Sequence, residues 1–257
     1  MEDIMKKNLN YPQKQGLYDP AFEHDSCGVG FVCHVKGKRS HDIIAQGLEI
    51  LSRLSHRGAT GADPKTGDGA GILIQMPHDF LVEECVKLKI DLPKQGEYAS
   101  GIVFLPTDSK ERAFCKEVFA KTVKKEGQEL FGWRKVPVDD SDIGKTAKHT
   151  QPVIEQVFIK KCEVVVRKDD SLIKDSLSFE RSLYIIRRQI ENAVRKEDLS
   201  QGSFFYITNL SSRTLSYKGL LMPTQLKDYF PDLSDPLLKS CLCLVHSRYS
   251  TNTFPCK

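Results

Sequence analysis

Three short stretches hold the residue types that could do chemistry. The first is Phe22–Glu23–His24–Asp25–Ser26–Cys27–Gly28–Val29–Gly30–Phe31–Val32, where a polar leader meets one cysteine and an apolar, β-prone run follows at once. The second is His56–Arg57–Gly58, followed by a loop with four glycines, Gly61, Gly67, Gly69 and Gly71. The third is His246–Ser247–Arg248–Tyr249–Ser250–Thr251. A cysteine packs well as a small hydrophobe, so Cys27 has a bland reading as a buried residue. It has a sharper one as the first residue of a processed chain. A break between Ser26 and Cys27 leaves a thiol and a free α-amine on one residue. That amine titrates near ~8, well below lysine. It can take the thiol proton directly or through one water, so no separate Cys–His pair is needed. Without the break the same nitrogen is an amide and has no basicity. His24 and Asp25 offer a Cys–His dyad instead, but a processed chain discards both.

A thiol needs a substrate held in register with it. Arginine grips a carboxylate through two parallel charge-assisted hydrogen bonds. Arg248, at the end of an apolar run with the hydroxyls of Ser250 and Thr251 close by, suits the α-carboxylate of an amino-acid substrate. A strand-end arginine paired with a surface acid is the competing reading. Arg57 either closes a helix favourably with respect to its dipole or belongs to the site beside the glycine loop. That loop is no nucleotide cradle: G-x-G-x-x-G would need glycine at Ile72, and no G-K-[ST] follows. Close backbone approach near a small ligand accounts for its glycines better.

The elements that must position these residues read as mixed α/β. Strands are expected at 28–35, 72–76, 98–105, 131–138, 154–160, 162–167 and 239–247. Helices are expected at 40–54 with Ser40 as N-cap, at 80–88, at 109–126 closed by Gly127, and at 178–194. Residues 144–152 read as loop or short helix. Residues 203–209 and 213–217, parted by Leu210–Ser211–Ser212, look like a hairpin.

Composition bounds the class. The 257 residues are 40% hydrophobic and 28% charged, enough for a sizeable core. The net charge of +4 is interleaved along the chain and calls for neither nucleic acid nor a membrane surface. Lys121, Lys124, Lys125, Arg187 and Arg188 fall on helical patterns with acids nearby, as solvated faces do. The eight cysteines form no C-x-x-C pair and no zinc spacing, so no metal site is expected. Most read as reduced and buried, a cytoplasmic pattern. The N-terminus lacks the apolar core of a secretory signal, and no apolar run reaches membrane-spanning length.

Taken together, Cys27-Gly-Val-Gly-Phe, His56-Arg-Gly and Arg248-x-Ser-Thr resemble the class II glutamine amidotransferases, which are N-terminal-nucleophile hydrolases. His56-Arg-Gly-Ala-Thr-Gly-Ala-Asp, Gly67-Asp-Gly-Ala-Gly-Ile, Thr214-Leu-Ser-Tyr-Lys-Gly-Leu-Leu and His246-Ser-Arg-Tyr-Ser-Thr-Asn-Thr-Phe-Pro are similar to the amidotransferase domain of glutamate synthase large subunits. The likeness covers nearly all of residues 18–255. It implies an α+β fold, the four-layer αββα sandwich, and a leader, 1–26, removed to expose Cys27. Residues 27–257 would then form a partial amidotransferase domain.

The resemblance further implies that Cys27 attacks the glutamine amide and passes through a thioester. Arg248 would hold the α-carboxylate with Thr251 assisting, and Arg57 would order the site. In the full enzyme, ammonia travels to downstream synthase domains of the same chain. There FMN and an iron–sulfur cluster reduce its adduct with 2-oxoglutarate, with a separate small reductase subunit as a further partner. The family's oxyanion-hole Asn-Gly pair and the acid for the substrate amine lie beyond Lys257, so this chain alone is expected to be nearly inactive. Cys256–Lys257 also depart from the family's continuation. Two other readings stay open: a non-catalytic fragment with Cys27 uncleaved, and another class II amidotransferase. The long insert between residues 85 and 200 argues against the latter.

Overall fold

The computed structural model describes residues 14, 16, 28–57, 60, 63–162 and 178–247, with the backbone only of Arg57. The elements run β1 (Gly28–Cys33), α1 (His41–Arg53), β2 (Ala70–Gln75), α2 (His78–Lys87), β3 (Tyr98–Leu105), α3 (Ser109–Lys125), β4 (Glu129–Lys135), α4 (Lys145–His149), β5 (Val153–Lys160), α5 (Ser178–Lys196), β6 (Tyr206–Ile207), β7 (Thr214–Gly219), α6 (Leu226–Tyr229) and β8 (Leu242–Ser247). A 3-10 turn, Leu54–Arg57, continues α1. The strands form two antiparallel sheets, ordered β1-β8-β2-β7 and β4-β5-β3-β6. With the helices against them they make the α+β sandwich that the motifs imply.

Period-two alternation assigns the faces. Ala99, Val103 and Leu105 of β3 and Val157 and Ile159 of β5 bury against Phe119 of α3 and Leu183, Ile186 and Ile190 of α5. Ile102 and Phe158, on the other side of that sheet, join Ile72, Ile74, Leu215 and Tyr217 of the first sheet in a second, larger core. Helix α1 seats directly on β1 and β8 because two glycines make room. A Cβ on Gly47 would meet Cys243 Sγ at 2.2 Å, and one on Gly30 would meet Ile50 Cγ2 at 2.2 Å.

The structure changes some of these expectations. Residues 203–217 are no hairpin: β6 pairs with β3 and β7 with β2, so the chain crosses between sheets at Asn209–Arg213. Asn209 holds this crossing by donating from Nδ2 to Thr214 O at 2.8 Å, while its Oδ1 accepts from Ser216 N at 3.1 Å. Ser40 occupies the N-cap of α1, but its hydroxyl caps nothing and its backbone bridges to Ser240 instead. The true side-chain cap is Asp108, which accepts from Lys110 N and Glu111 N at 2.9 Å each and opens α3. Gly127 closes that helix with φ 71°, as expected. Of the expected strand at 162–167, residues 163–167 lie outside the described residues. Lys121 is solvated as expected and meets Glu117 at 2.7 Å, whereas Arg187 and Arg188 both pair with the buried Glu191, Arg187 at 2.8 Å.

One buried polar network ties the two sheets together. Arg134 of β4 forks onto Asp232 with two 2.8 Å hydrogen bonds and donates to Glu84 Oε2 at 2.6 and 2.9 Å. Tyr217 of β7 donates to the same Asp232 at 2.9 Å. Arg134 and Asp232 are 3% and 4% exposed, and among the described residues their charges are compensated by each other and by Glu84. Burial opposes the Glu84 charge, but Lys87 and Arg134 outweigh it and leave the carboxyl below its ordinary value. Arg134→Met strands the buried Asp232 carboxylate and is expected to cost about 3–5 kcal/mol in urea denaturation. The Glu84 contribution is complete above pH about 4.5, its ordinary value, and fades as pH falls further, which unfolding midpoints across the acid range will register.

Candidate active site

The first sheet gathers its strand ends into one row. Gly28 is the Cα partner of Ser247, Ser247 of Ala70, and Ala70 of Gly219. The residue before Gly28 is Cys27, and the residue after Ser247 is Arg248. The Gly-rich loop enters the row at Ala70. Antiparallel pairing thus makes one edge of one sheet the attachment point for two of the three stretches read from sequence, and for the loop behind the other.

Helix α1 brings the remaining stretch to the same end. From Gly47 to Ile50 the helix moves from Cys243 to Val245, toward Ser247. Its 3-10 extension, Leu54–Arg57, comes within 8 Å of β1 and β8 by Cα distance. His56 faces outward, its Nδ1 3.0 Å from Arg53 O. The turn that carries the backbone of Arg57 therefore packs against β1 and β8. Cys27, Arg248 and Thr251, and the side chain of Arg57, lie outside the described residues.

The glycine loop is organised by protein contacts. Asp63 Oδ1 accepts from Lys65 N at 3.1 Å, and its Oδ2 accepts from Thr66 Oγ1 at 3.1 Å and Thr146 N at 3.2 Å. The Lys65 amide leads these contacts in holding the Asp63 carboxyl below its ordinary value. A Cβ on Gly67 would fall 2.6 Å from the Leu221–Met222 backbone, so glycine here serves close approach of two chain segments. The loop was expected to approach a small ligand closely; at Gly67 the neighbour is the chain itself.

A second row, one residue in, was not singled out by sequence reasoning. It runs Val29–His246–Gly71–Lys218. A Cβ on Gly71 would meet His246 Cε1 at 2.7 Å and Lys218 Cβ at 2.9 Å, so Gly71 lets those side chains lie beside one another. Burial, and then the Lys218 charge, push the His246 pKa below its ordinary value and favour neutral imidazole. In the first row, Ser247 is fully buried, and its Oγ has no hydrogen-bond partner among the described residues. His246 and Ser247 stood inside a quoted motif, and the only available signal was their adjacency to Arg248.

Three buried thiols contrast with what a nucleophile requires. Burial pushes Cys85 and Cys115 up to about 11 and Cys243 up to about 12. Such thiols stay protonated and shielded. Among the described residues no cluster of His, Cys, Asp and Glu could hold a metal ion. No described helix is long and apolar enough to cross a membrane.

The chain also has informative relatives. The family described as class-II glutamine amidotransferases matches residues 27–256. The glutamate synthase [NADPH] large chain of Bacillus subtilis is 46% identical over 244 residues, 95% of this chain and 15% of the relative. The glutamate synthase [NADH] of Schizosaccharomyces pombe is 43% identical over 248 residues, 95% of this chain and 11% of the relative. The ferredoxin-dependent glutamate synthase 2 of Arabidopsis thaliana is 39% identical over 244 residues, 95% of this chain and 14% of the relative. The chain therefore spans between 11% and 15% of the length of these proteins.

Native alkylation with iodoacetamide at pH 8 should label the exposed Cys33 and leave Cys85, Cys115 and Cys243 unmodified, as read by peptide mass mapping. Labelling of Cys243 at a rate near that of Cys33 would contradict its burial under α1.

Proposed function

We propose, for a chain that belongs to the class II glutamine amidotransferases, that it is the glutaminase part of a glutamate synthase, with Cys27 as an N-terminal nucleophile. The leader 1–26 is removed, and residues 27–257 supply part of the catalytic domain. The Cys27 thiol gives its proton to its own α-amine, and the sulfur attacks the side-chain carbonyl carbon of glutamine. The tetrahedral adduct collapses with cleavage of the C–N bond. Ammonia leaves with the proton carried by the α-ammonium. Water then adds to the γ-glutamyl thioester, releasing glutamate and restoring the thiol. Arg248 forks onto the substrate α-carboxylate, Thr251 assists it, and Arg57 orders the site from the end of α1.

The observation that carries this reading is the Gly28–Ser247 pairing. It brings the attachment points of Cys27 and Arg248 to adjacent strands at one sheet end, where a short amino-acid substrate can bridge a nucleophile and a carboxylate clamp. Family membership from residue 27 onward agrees with a working domain that begins at that cysteine. Burial and protonation disfavour Cys85, Cys115 and Cys243 for the role.

The rest of the reaction belongs to the longer protein. Ammonia combines there with 2-oxoglutarate, and FMN with an iron–sulfur cluster supplies the electrons for glutamate formation. NADPH, NADH and ferredoxin each appear in the names of the relatives, so the donor, and any small reductase subunit, is a separate choice. The buried free thiols agree with a reducing compartment, and we assign the protein to the cytoplasm.

In the full-length protein, Cys27→Ala and Cys27→Ser are each expected to abolish glutamine hydrolysis, measured as ammonia release. Appreciable remaining turnover would reject Cys27 as nucleophile. Arg248→Ala should raise KM for glutamine strongly while leaving leader removal intact, and an unchanged KM would take the carboxylate role away from Arg248.

A further inference from the structure

Ser247 supplies the side-chain hydroxyl of the row Gly28–Ser247–Ala70–Gly219, and it is fully buried. Its Oγ has no hydrogen-bond partner among the described residues. A buried hydroxyl without a partner works against folding, so its presence calls for an explanation. Its position supplies one. By period-two alternation Cys243, Val245 and Ser247 share the face of β8 that lies under α1 and the Leu54–Arg57 turn. On β1 the same face carries Gly30 and Gly28. A Cβ on Gly30 would fall 3.1 Å from Val245 Cγ2, so the two strands bring their side chains together there. One pair further along, Ser247 faces Gly28, which has no side chain to fill the space beside the hydroxyl.

We propose that Ser247 is a positioning residue for the nucleophile: its Oγ holds, through one water, the α-amine that leader removal creates on Cys27. The proposal rests on the reading of Cys27 as an N-terminal nucleophile. Cys27 is bonded to Gly28, so its Cα follows at about 3.8 Å along the chain. Paired Cα atoms of antiparallel strands lie about 4.5–5.5 Å apart, and one residue of offset leaves a gap that a single water spans. In the uncut chain the Cys27 nitrogen is an amide; cutting at Ser26 turns it into an amine with new N–H donors. The water accepts from one of these and donates to Ser247 Oγ. That leaves the amine lone pair for the thiol, whose proton it takes. With that proton on nitrogen the contact becomes charge-assisted and stronger, which favours the thiolate–ammonium pair that attacks glutamine. The contact touches neither end of glutamine, so it acts on the chemical step and not on substrate binding.

Ammonia release by full-length Ser247→Ala tests this, with leader removal checked by N-terminal sequencing. We expect kcat to fall about tenfold or more, with KM for glutamine within about twofold of the parent and the melting temperature near it. Ser247→Thr keeps the hydroxyl and should retain kcat within about threefold. Full kcat in Ser247→Ala, beside an inactive Cys27→Ala, would overturn the proposal and leave Cys27 as nucleophile. Turnover in Cys27→Ala would overturn both. A raised KM at unchanged kcat would assign the hydroxyl to the substrate, and a retained leader in Ser247→Ala would place its role before processing; either result overturns the proposal. If the added methyl of Ser247→Thr disturbs the fold, the kcat-against-KM split in Ser247→Ala decides.

Discussion

The antiparallel pairing of β8 with both β1 and β2 is the constraint on which the rest depends. Ser247 is the hinge of that arrangement, facing Gly28 on one side and Ala70 on the other. Side chains alternate with period two, so a one-residue slip of β8 would turn Cys243 and Val245 away from α1. The helix could not then seat on Gly30 and Gly47, and its 3-10 extension would not reach the sheet end. Packing under α1 and the gathering of strand ends are therefore one requirement. Hydrophobic burial sets the register, and the register brings the ends together.

The second sheet has a supporting part. It carries its own core against α3 and α5, and is joined to the first by Arg134, Asp232, Glu84 and Tyr217 as well as by apolar packing. A buried charge network of this kind adds little net stability over apolar packing, but it is costly to leave half-made. It fixes β4 against β7, and with β7 the Gly219 end of the row. A cavity opens at this joint between sheets, where Tyr206 and Lys218 face one another across the crossing.

Much of this was legible in the sequence because it is local. Strands and helices with strong periodicity, such as Tyr98–Leu105 and Ser178–Lys196, are written in short windows. The motifs around Cys27, Arg57 and Arg248 pointed to one chemistry before any fold was known. What stayed hidden depends on distant pairs. Arg134 and Asp232 are 98 residues apart, and nothing near either marks it as the other's partner. Residues 203–217 looked like a hairpin because two short β-prone runs flank a polar turn, yet pairing with β2 and β3 proved the stronger claim on them. Ser40 has the right type for a cap, but its backbone is committed to Ser240. His246, Gly71 and Lys218 form a row only through cross-strand register, which no single window contains.

The central claim is that the row of strand ends serves a cysteine at the start of the working chain. Incubating the full-length protein with an electrophilic diazoketone analogue of glutamine, then mapping the adduct by mass spectrometry, tests this most directly. The account predicts one modification, on the thiol of a peptide that begins at Cys27, blocked by excess glutamine. An adduct on any other residue would contradict it, and so would a modified Cys27 still joined to Ser26.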